Sequence, residues 1–182
     1  ALANDMGVDL IHDFMKPLGL GQITGIDLRG EVRGVLPSQA WKRQNYKRPE
    51  QQKWYAGETI SLGIGQGYNS FTMLQLTQAM AVLANQGLKH KPRLAVATED
   101  PVLRTRTPLP ADPPENLNFK PENVAAVLRA MEGVTTGGTS TRVFAGAPYR
   151  SGGKTGTAQA VTIGQKDRYD ARRLEEHQRD HS

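Results

Sequence analysis

Arg150-Ser151-Gly152-Gly153-Lys154-Thr155-Gly156-Thr157-Ala158 is the stretch on which the reading of this chain turns. It sets a lysine and two hydroxyls among glycines on one short segment. Residues 149 to 163 alternate in the manner of a strand, with Ala158, Ala160, Val161 and Ile163 in the second half. Successive side chains of a strand point to opposite faces, so Thr155 and Thr157 would share one side. Two hydroxyls there can hold a carboxylate, with Lys154 supplying positive charge. An amide N–H of the same segment can face a developing oxyanion. Gly152 and Gly153 would leave the strand edge open, as glycine inside a strand often does where another backbone approaches closely. The plainer alternative is a polar edge strand whose lysine simply reaches solvent.

Two formal motif matches fail on chemistry. Gly153-Lys154-Thr155 resembles the end of a phosphate-binding loop, but that loop needs a glycine where this chain has Pro148. It must also run into a helix, and Gly156 follows Thr155 at once. Ser151-Gly152-Gly153-Lys154 spells a Ser-x-x-Lys, in which serine and lysine must meet on one helical face. Two intervening glycines disfavour a helix by about 1 kcal/mol each relative to alanine. In a strand, positions three apart face opposite ways. Ser151 is therefore rejected as a nucleophile.

Upstream, residues 1 to 18 read as helical, with a restart cap at Asp9 after Gly7 and an end at Pro17 and Gly19. Residues 19 to 37 are glycine-rich and irregular. Ser38 is placed to cap a short helix through Tyr46. The clearest helix spans about 72 to 86. Thr72-Met73-Leu74-Gln75 fits a capping box, and Leu76, Ala79, Met80, Leu83 and Ala84 form a core-facing stripe. Gly87 stands where a left-handed C-terminal cap belongs. Pro92 to Thr98 suggests a short strand. Residues 100 to 121 carry six prolines and read as a loop or extended crossing. A second helix is expected from Pro121, which suits a first helical position, to about Val134. Its stripe is Val124, Val127, Leu128 and Met131. Gly137-Gly138-Thr139 ends it, and Thr139 or Ser140 caps a short turn near Phe144. The charged end, 165 to 182, reads as helical.

The 182 residues suit one domain or a large part of one. A hydrophobic fraction of 37%, with 19 Gly and 11 Pro, predicts a modest core and many irregular excursions. The net charge of +5 comes from scattered basic residues with no interleaved aromatic stripe, which argues against nucleic-acid binding. There is no cysteine, hence no disulfide, thiol chemistry or cysteine metal site. No run approaches the ~18 apolar residues of a membrane helix, and no signal peptide is visible. Both ends look cut, so a fragment of a longer protein is expected. His177 and His181, four apart, are read as part of a solvated charged helix rather than a metal pair. Trp41 and Trp54, near Tyr46 and Tyr55, are read as packing residues rather than a ligand rim.

In order along the chain, several segments together resemble the later part of the transpeptidase domain of class B penicillin-binding proteins, most nearly the elongation-specific penicillin-binding protein 2 type. They are Ala1-Leu2-Ala3-Asn4-Asp5-Met6-Gly7, then Leu18-Gly19-Leu20-Gly21 with Thr24-Gly25-Ile26-Asp27-Leu28, then Gly57-Glu58-Thr59-Ile60-Ser61-Leu62-Gly63-Ile64-Gly65-Gln66-Gly67. Thr72-Met73-Leu74-Gln75, Ala84-Asn85-Gln86-Gly87, Gly152-Gly153-Lys154-Thr155-Gly156-Thr157-Ala158 and Asp180-His181 follow. The tetrad matches the Lys-Thr-Gly element of serine acyltransferases that penicillin inhibits.

The resemblance implies an α/β fold of the penicillin-binding and serine β-lactamase type, with an antiparallel sheet flanked by helices, here incomplete. It implies that residues 1 to 182 are the C-terminal portion of a D,D-transpeptidase domain that cross-links peptidoglycan stem peptides through an acyl-serine and is acylated by β-lactams. Lys154, Thr155, Gly156 and Thr157 would bind the terminal carboxylate, and the Thr157 N–H would be an oxyanion donor. No cofactor or metal is implied. The expected partners are a glycosyltransferase and morphogenetic membrane proteins, and the expected location is the periplasmic face of the inner membrane. The chain lacks an acceptable Ser-x-x-Lys and any Ser-x-Asn. In the family both lie upstream of the segment resembling residues 1 to 7, so this chain alone is expected to be inert. The rival readings are a β-lactamase or β-lactam sensor of the same superfamily, and a non-catalytic interaction fragment.

Overall fold

The computed structural model describes residues 1–158, arranged in two compact units. Residues 159 to 163 of the strand expected over 149 to 163, the helix over 165 to 182, the His177 and His181 pair and Asp180-His181 lie outside the described residues. No helix among the described residues is long and apolar enough to cross a membrane.

One unit comprises Asp9–Ser38 and Ser70–Leu128. Most of α2 (Val8–Met15) opens it, followed by a 3₁₀ turn, Lys16–Leu18, that ends on left-handed Gly19. Helix α6 (Met73–Ala84) starts as the sequence dictates. Thr72 Oγ1 accepts the Gln75 N–H at 3.2 Å, and Gln75 Oε1 accepts the Thr72 N–H at 3.2 Å. Its exit needs two left-handed residues, Gln86 (φ 56°) and Gly87 (φ 95°). The Gly87 N–H reaches Val82 O at 2.8 Å and the Gln86 N–H reaches Leu83 O at 3.1 Å, the paired bonds of a Schellman ending. The left-handed position is thus shared by Gln86, one residue earlier than expected.

The face that α6 buries differs from the expected stripe. Gln75, Gln78, Ala79 and Val82 are buried, whereas Leu76 and Met80 are 40% and 43% exposed. The reason is the amide of Gln75, which is fully buried. Its Nε2 donates to Gln22 O at 2.5 Å and to Arg33 O at 2.7 Å. Those carbonyls belong to the glycine-rich 19–37 region, which has few regular bonds of its own. A buried polar group must be hydrogen-bonded or its burial costs free energy, and α6 turns to meet that need. Ala79 and Val82 then pack on Leu18, Leu20 and Leu36, with Met15, Phe71, Leu117 and Phe119 around them.

Gly34 lies where Val35 and Ser70 bridge antiparallel. Its φ is 66°, and a Cβ there would sit 2.3 Å from Ser70 O. Gly34→Ala combines left-handed strain with a clash and is expected to destabilise the protein by about 2–4 kcal/mol. Urea unfolding of the complete protein checks this, and a loss under ~0.5 kcal/mol would contradict it.

The Pro-rich crossing is partly paired. Strand β1 (Leu88–Lys89) pairs with β4 (Glu115–Asn116), and β2 (Ala97–Glu99) pairs with β3 (Arg106–Pro108), both antiparallel. Two of these four strands fall inside the segment read as loop. Pairing is a property of two segments, and neither short run shows an alternation of its own.

The other unit comprises Ala1–Val8, Gln39–Asn69 and the described residues from Arg129 onward. As the restart expected after Gly7 requires, α1 (Leu2–Met6) ends at Gly7 (φ 76°), and α2 begins at Val8, one residue before Asp9. Helix α1 packs on α5 (Ala56–Gly63), with Gly63 against the Ala3 methyl. Helix α3 (Gln39–Asn45) follows Ser38 as expected and packs against α4 (Pro49–Gln52). Helix α7 (Pro121–Thr136) begins at Pro121, and its last turns, from Arg129, belong to this unit. α8 (Thr141–Phe144) follows an N-cap at Ser140.

Lys42 is the unexpected element of this unit. A basic residue on a surface helix is ordinarily solvated, yet Lys42 is only 3% exposed. Its ammonium donates to Lys53 O at 2.8 Å and pairs directly with Glu58. The rings of Trp54, Tyr55 and Tyr68 lie 5.3–5.5 Å from Nζ. Glu58 also accepts the Tyr55 N–H at 2.8 Å and the Tyr68 hydroxyl at 2.9 Å. Burial works to raise the Glu58 carboxyl, but Lys42, the Tyr55 N–H and the Tyr68 hydroxyl together hold it below its ordinary value. Burial, then the bond to Glu58, pushes the Tyr68 hydroxyl up. The aromatic residues near 41–55 are packing residues, as read from sequence: Trp41 contacts Tyr46 and Tyr68, and Trp54 contacts Tyr68.

Candidate functional site

Residues 151–157 form no helix and no ladder. These residues of the expected strand are therefore irregular, and Ala158 alone takes part in a β-bridge. Among the described residues their order comes from α7. Arg150 places Nε 2.5 Å and Nη2 2.8 Å from the two carboxylate oxygens of Glu132, a bidentate pair. The Arg150 hydrogen bond holds the Glu132 carboxyl below its ordinary value, and Glu132 raises the guanidinium. The Thr135 hydroxyl, on a buried residue, lies 2.7 Å from Ser151 O and 2.9 Å from Glu132 O. The Gly153 N–H donates to Met131 O at 3.1 Å. Gly152 lies so near the helix that a Cβ would stand 3.1 Å from Glu132 N and from the Met131 carbonyl carbon.

From this dock the chain runs outward. Lys154, Thr155, Gly156 and Thr157 are all exposed. The Lys154 ammonium donates to the Thr155 carbonyl. The tetrad thus offers a cation, two hydroxyls and backbone N–H groups to solvent, a set that can bind a carboxylate. Ser151 and Lys154 do not share a helical turn, in keeping with the rejection of that pair. Among the described residues no cluster of three or more His, Asp or Glu side chains could hold a metal ion.

Glu132, Thr135 and Arg150 escaped the sequence reading of the site. Glu132 and Arg150 are separated by eighteen positions, and no periodicity links them. The available signal was the glycine content of 152–156, which cannot hold a shape unaided.

Residues 1–174 match the model of the penicillin-binding protein transpeptidase domain. The chain belongs to that family. Peptidoglycan D,D-transpeptidase MrdA of Escherichia coli K12 is 35% identical over 182 residues, which is 99% of this chain and 28% of that protein. Among solved structures, penicillin-binding protein 2 of Pseudomonas aeruginosa, in complex with WCK 5153, is 40% identical with a TM-score of 0.72, covering 87% of this chain and 34% of that one. Penicillin-binding protein 2 of Helicobacter pylori, in complex with MreC, is 26% identical with a TM-score of 0.69, covering 87% and 27%. The fold expected from the resemblance, a penicillin-binding transpeptidase fold, is the fold of these relatives. The chain spans about a quarter of the curated transpeptidase it matches.

Proposed function

We propose that these residues are the C-terminal portion of a peptidoglycan D,D-transpeptidase domain and supply its carboxylate-binding and oxyanion segment. The observation that carries the reading is the family match over residues 1–174 together with an exposed Lys154-Thr155-Gly156-Thr157 held on α7. A serine elsewhere in the whole protein attacks the D-Ala-D-Ala carbonyl. The D-alanine amine leaves with a proton, and an amine of a neighbouring stem peptide then displaces the serine oxygen. Splitting the exchange in this way replaces one hard step by two easier ones. Lys154 attracts the terminal carboxylate, and the Thr155 and Thr157 hydroxyls bind it. The Thr157 N–H faces the tetrahedral oxyanion, where loss of one donor costs on the order of 100-fold in rate. A β-lactam presents the same carboxylate and carbonyl, so it acylates the same serine.

The complex of a related penicillin-binding protein 2 with MreC supports a morphogenetic membrane partner for the whole protein. A glycosyltransferase partner, a periplasmic site of action, an inner-membrane anchor and a place in antibiotic resistance belong to the same reading.

Intact-mass spectrometry with and without benzylpenicillin tests it. The complete protein is expected to gain one penicilloyl group, and residues 1–182 alone none. A complete protein that gains no adduct would overturn the transpeptidase reading. Stoichiometric acylation of residues 1–182 alone would overturn the assignment of the nucleophile to the rest of the protein.

A further inference from the structure

Three of the five residues from Gly152 to Gly156 are glycine. Such a run has no conformational preference of its own, so whatever geometry it presents must be imposed from outside. Among the described residues, three different contacts converge on its start and the two residues before it. The Glu132 carboxylate grips Arg150 through two parallel bonds. The buried Thr135 hydroxyl reaches Ser151 O, and the Met131 carbonyl takes the Gly153 N–H. All three come from the last turns of α7, and the last of them is one residue short of Lys154.

We propose that Glu132 and Thr135 are positioning residues that set the direction in which Lys154–Thr157 leaves α7, and thereby how well the tetrad meets an acyl donor's carboxylate. The proposal rests on the transpeptidase reading above. A bidentate fork fixes orientation as well as distance. Thr135 fixes height, because its hydroxyl lies within hydrogen-bond reach of both the helix carbonyl of Glu132 and the segment carbonyl of Ser151. Misplacing a catalytic group by about 1 Å can cost 100-fold in rate, so a clamp outside the reacting centre suffices to tune it. The two arms differ in strength: Arg150 is largely exposed, so its pair is screened by solvent, whereas Thr135 is buried.

The test uses the complete protein and a fluorescent penicillin. Thr135→Val is nearly isosteric but lacks the hydroxyl, Thr135→Ser keeps it, and Glu132→Gln keeps the shape without the charge. Thr135→Val is expected to lower the second-order acylation rate constant about 10-fold, with faster amide exchange in the peptide containing Gly153. Thr135→Ser is expected to restore both. Glu132→Gln is expected to lower the rate about 3-fold, as befits an exposed pair. A Thr135→Val protein that is acylated at the wild-type rate would overturn the positioning role alone. So would a loss of rate that merely tracks a fall in Tm and is not rescued by Thr135→Ser. A wild-type protein that is not acylated at all would sink the transpeptidase reading, and this role with it.

Discussion

Lys154→Ala in the complete protein is expected to lower the second-order rate constant for β-lactam acylation by about 100–1,000-fold, the range for removing a charged partner from a transition-state contact. Folding should be nearly untouched. Lys154 is exposed and its ammonium bonds the neighbouring Thr155 carbonyl, and surface substitutions of this kind usually change stability by less than ~0.5 kcal/mol. The experiment therefore has two readouts that must separate: a large drop in acylation rate and an unchanged Tm. Lys154→Arg keeps the charge on a larger, planar head and should fall between. Acylation of the alanine variant at close to the wild-type rate would remove the tetrad from the site.

The second large effect is on stability. Lys42→Ala is expected to cost about 3 kcal/mol, because it removes a buried ammonium and leaves the half-buried Glu58 carboxylate uncompensated. Here the loss is compounded. Glu58 links Lys42, the start of α5 and Tyr68, and the lysine stem fills space among three rings. Thermal unfolding of the complete protein reads the loss. Lys42→Met combined with Glu58→Gln should recover most of it, since neutralising both partners leaves no orphan charge. The pH dependence has a definite sign. The Glu58 carboxyl is held below its ordinary value in the folded protein. Its stabilising contribution is therefore fully present above the unfolded carboxylate value, about 4.3, and is lost as pH falls through the lower folded value. The gap between wild type and Lys42→Ala should narrow on acidification. A gap of under ~1 kcal/mol at neutral pH would show that the pair behaves as an ordinary surface bridge.

What the sequence by itself determined is local. Thr72 and Gln75 start α6 because hydroxyl, amide and backbone N–H groups lie within one turn. Pro121 opens α7 because its missing N–H is not needed there. Gly152 and Gly153 keep residues 151–157 out of a helix, which removes Ser151 as a nucleophile. The Lys-Thr-Gly-Thr tetrad is contiguous, so its chemistry could be read before its shape. Each of these depends on residues no more than about four apart. Only the tertiary structure decided which face α6 buries, because two backbone carbonyls more than forty residues away bind the Gln75 amide. Only it buried Lys42, since the carboxylate and rings that compensate the charge arrive from α5 and the turns around it. Only it docked the tetrad's approach on α7, where Glu132, Thr135 and Met131 meet residues 150–153. Burial and charge compensation depend on who the distant neighbours are, and one sequence read along its length does not name them.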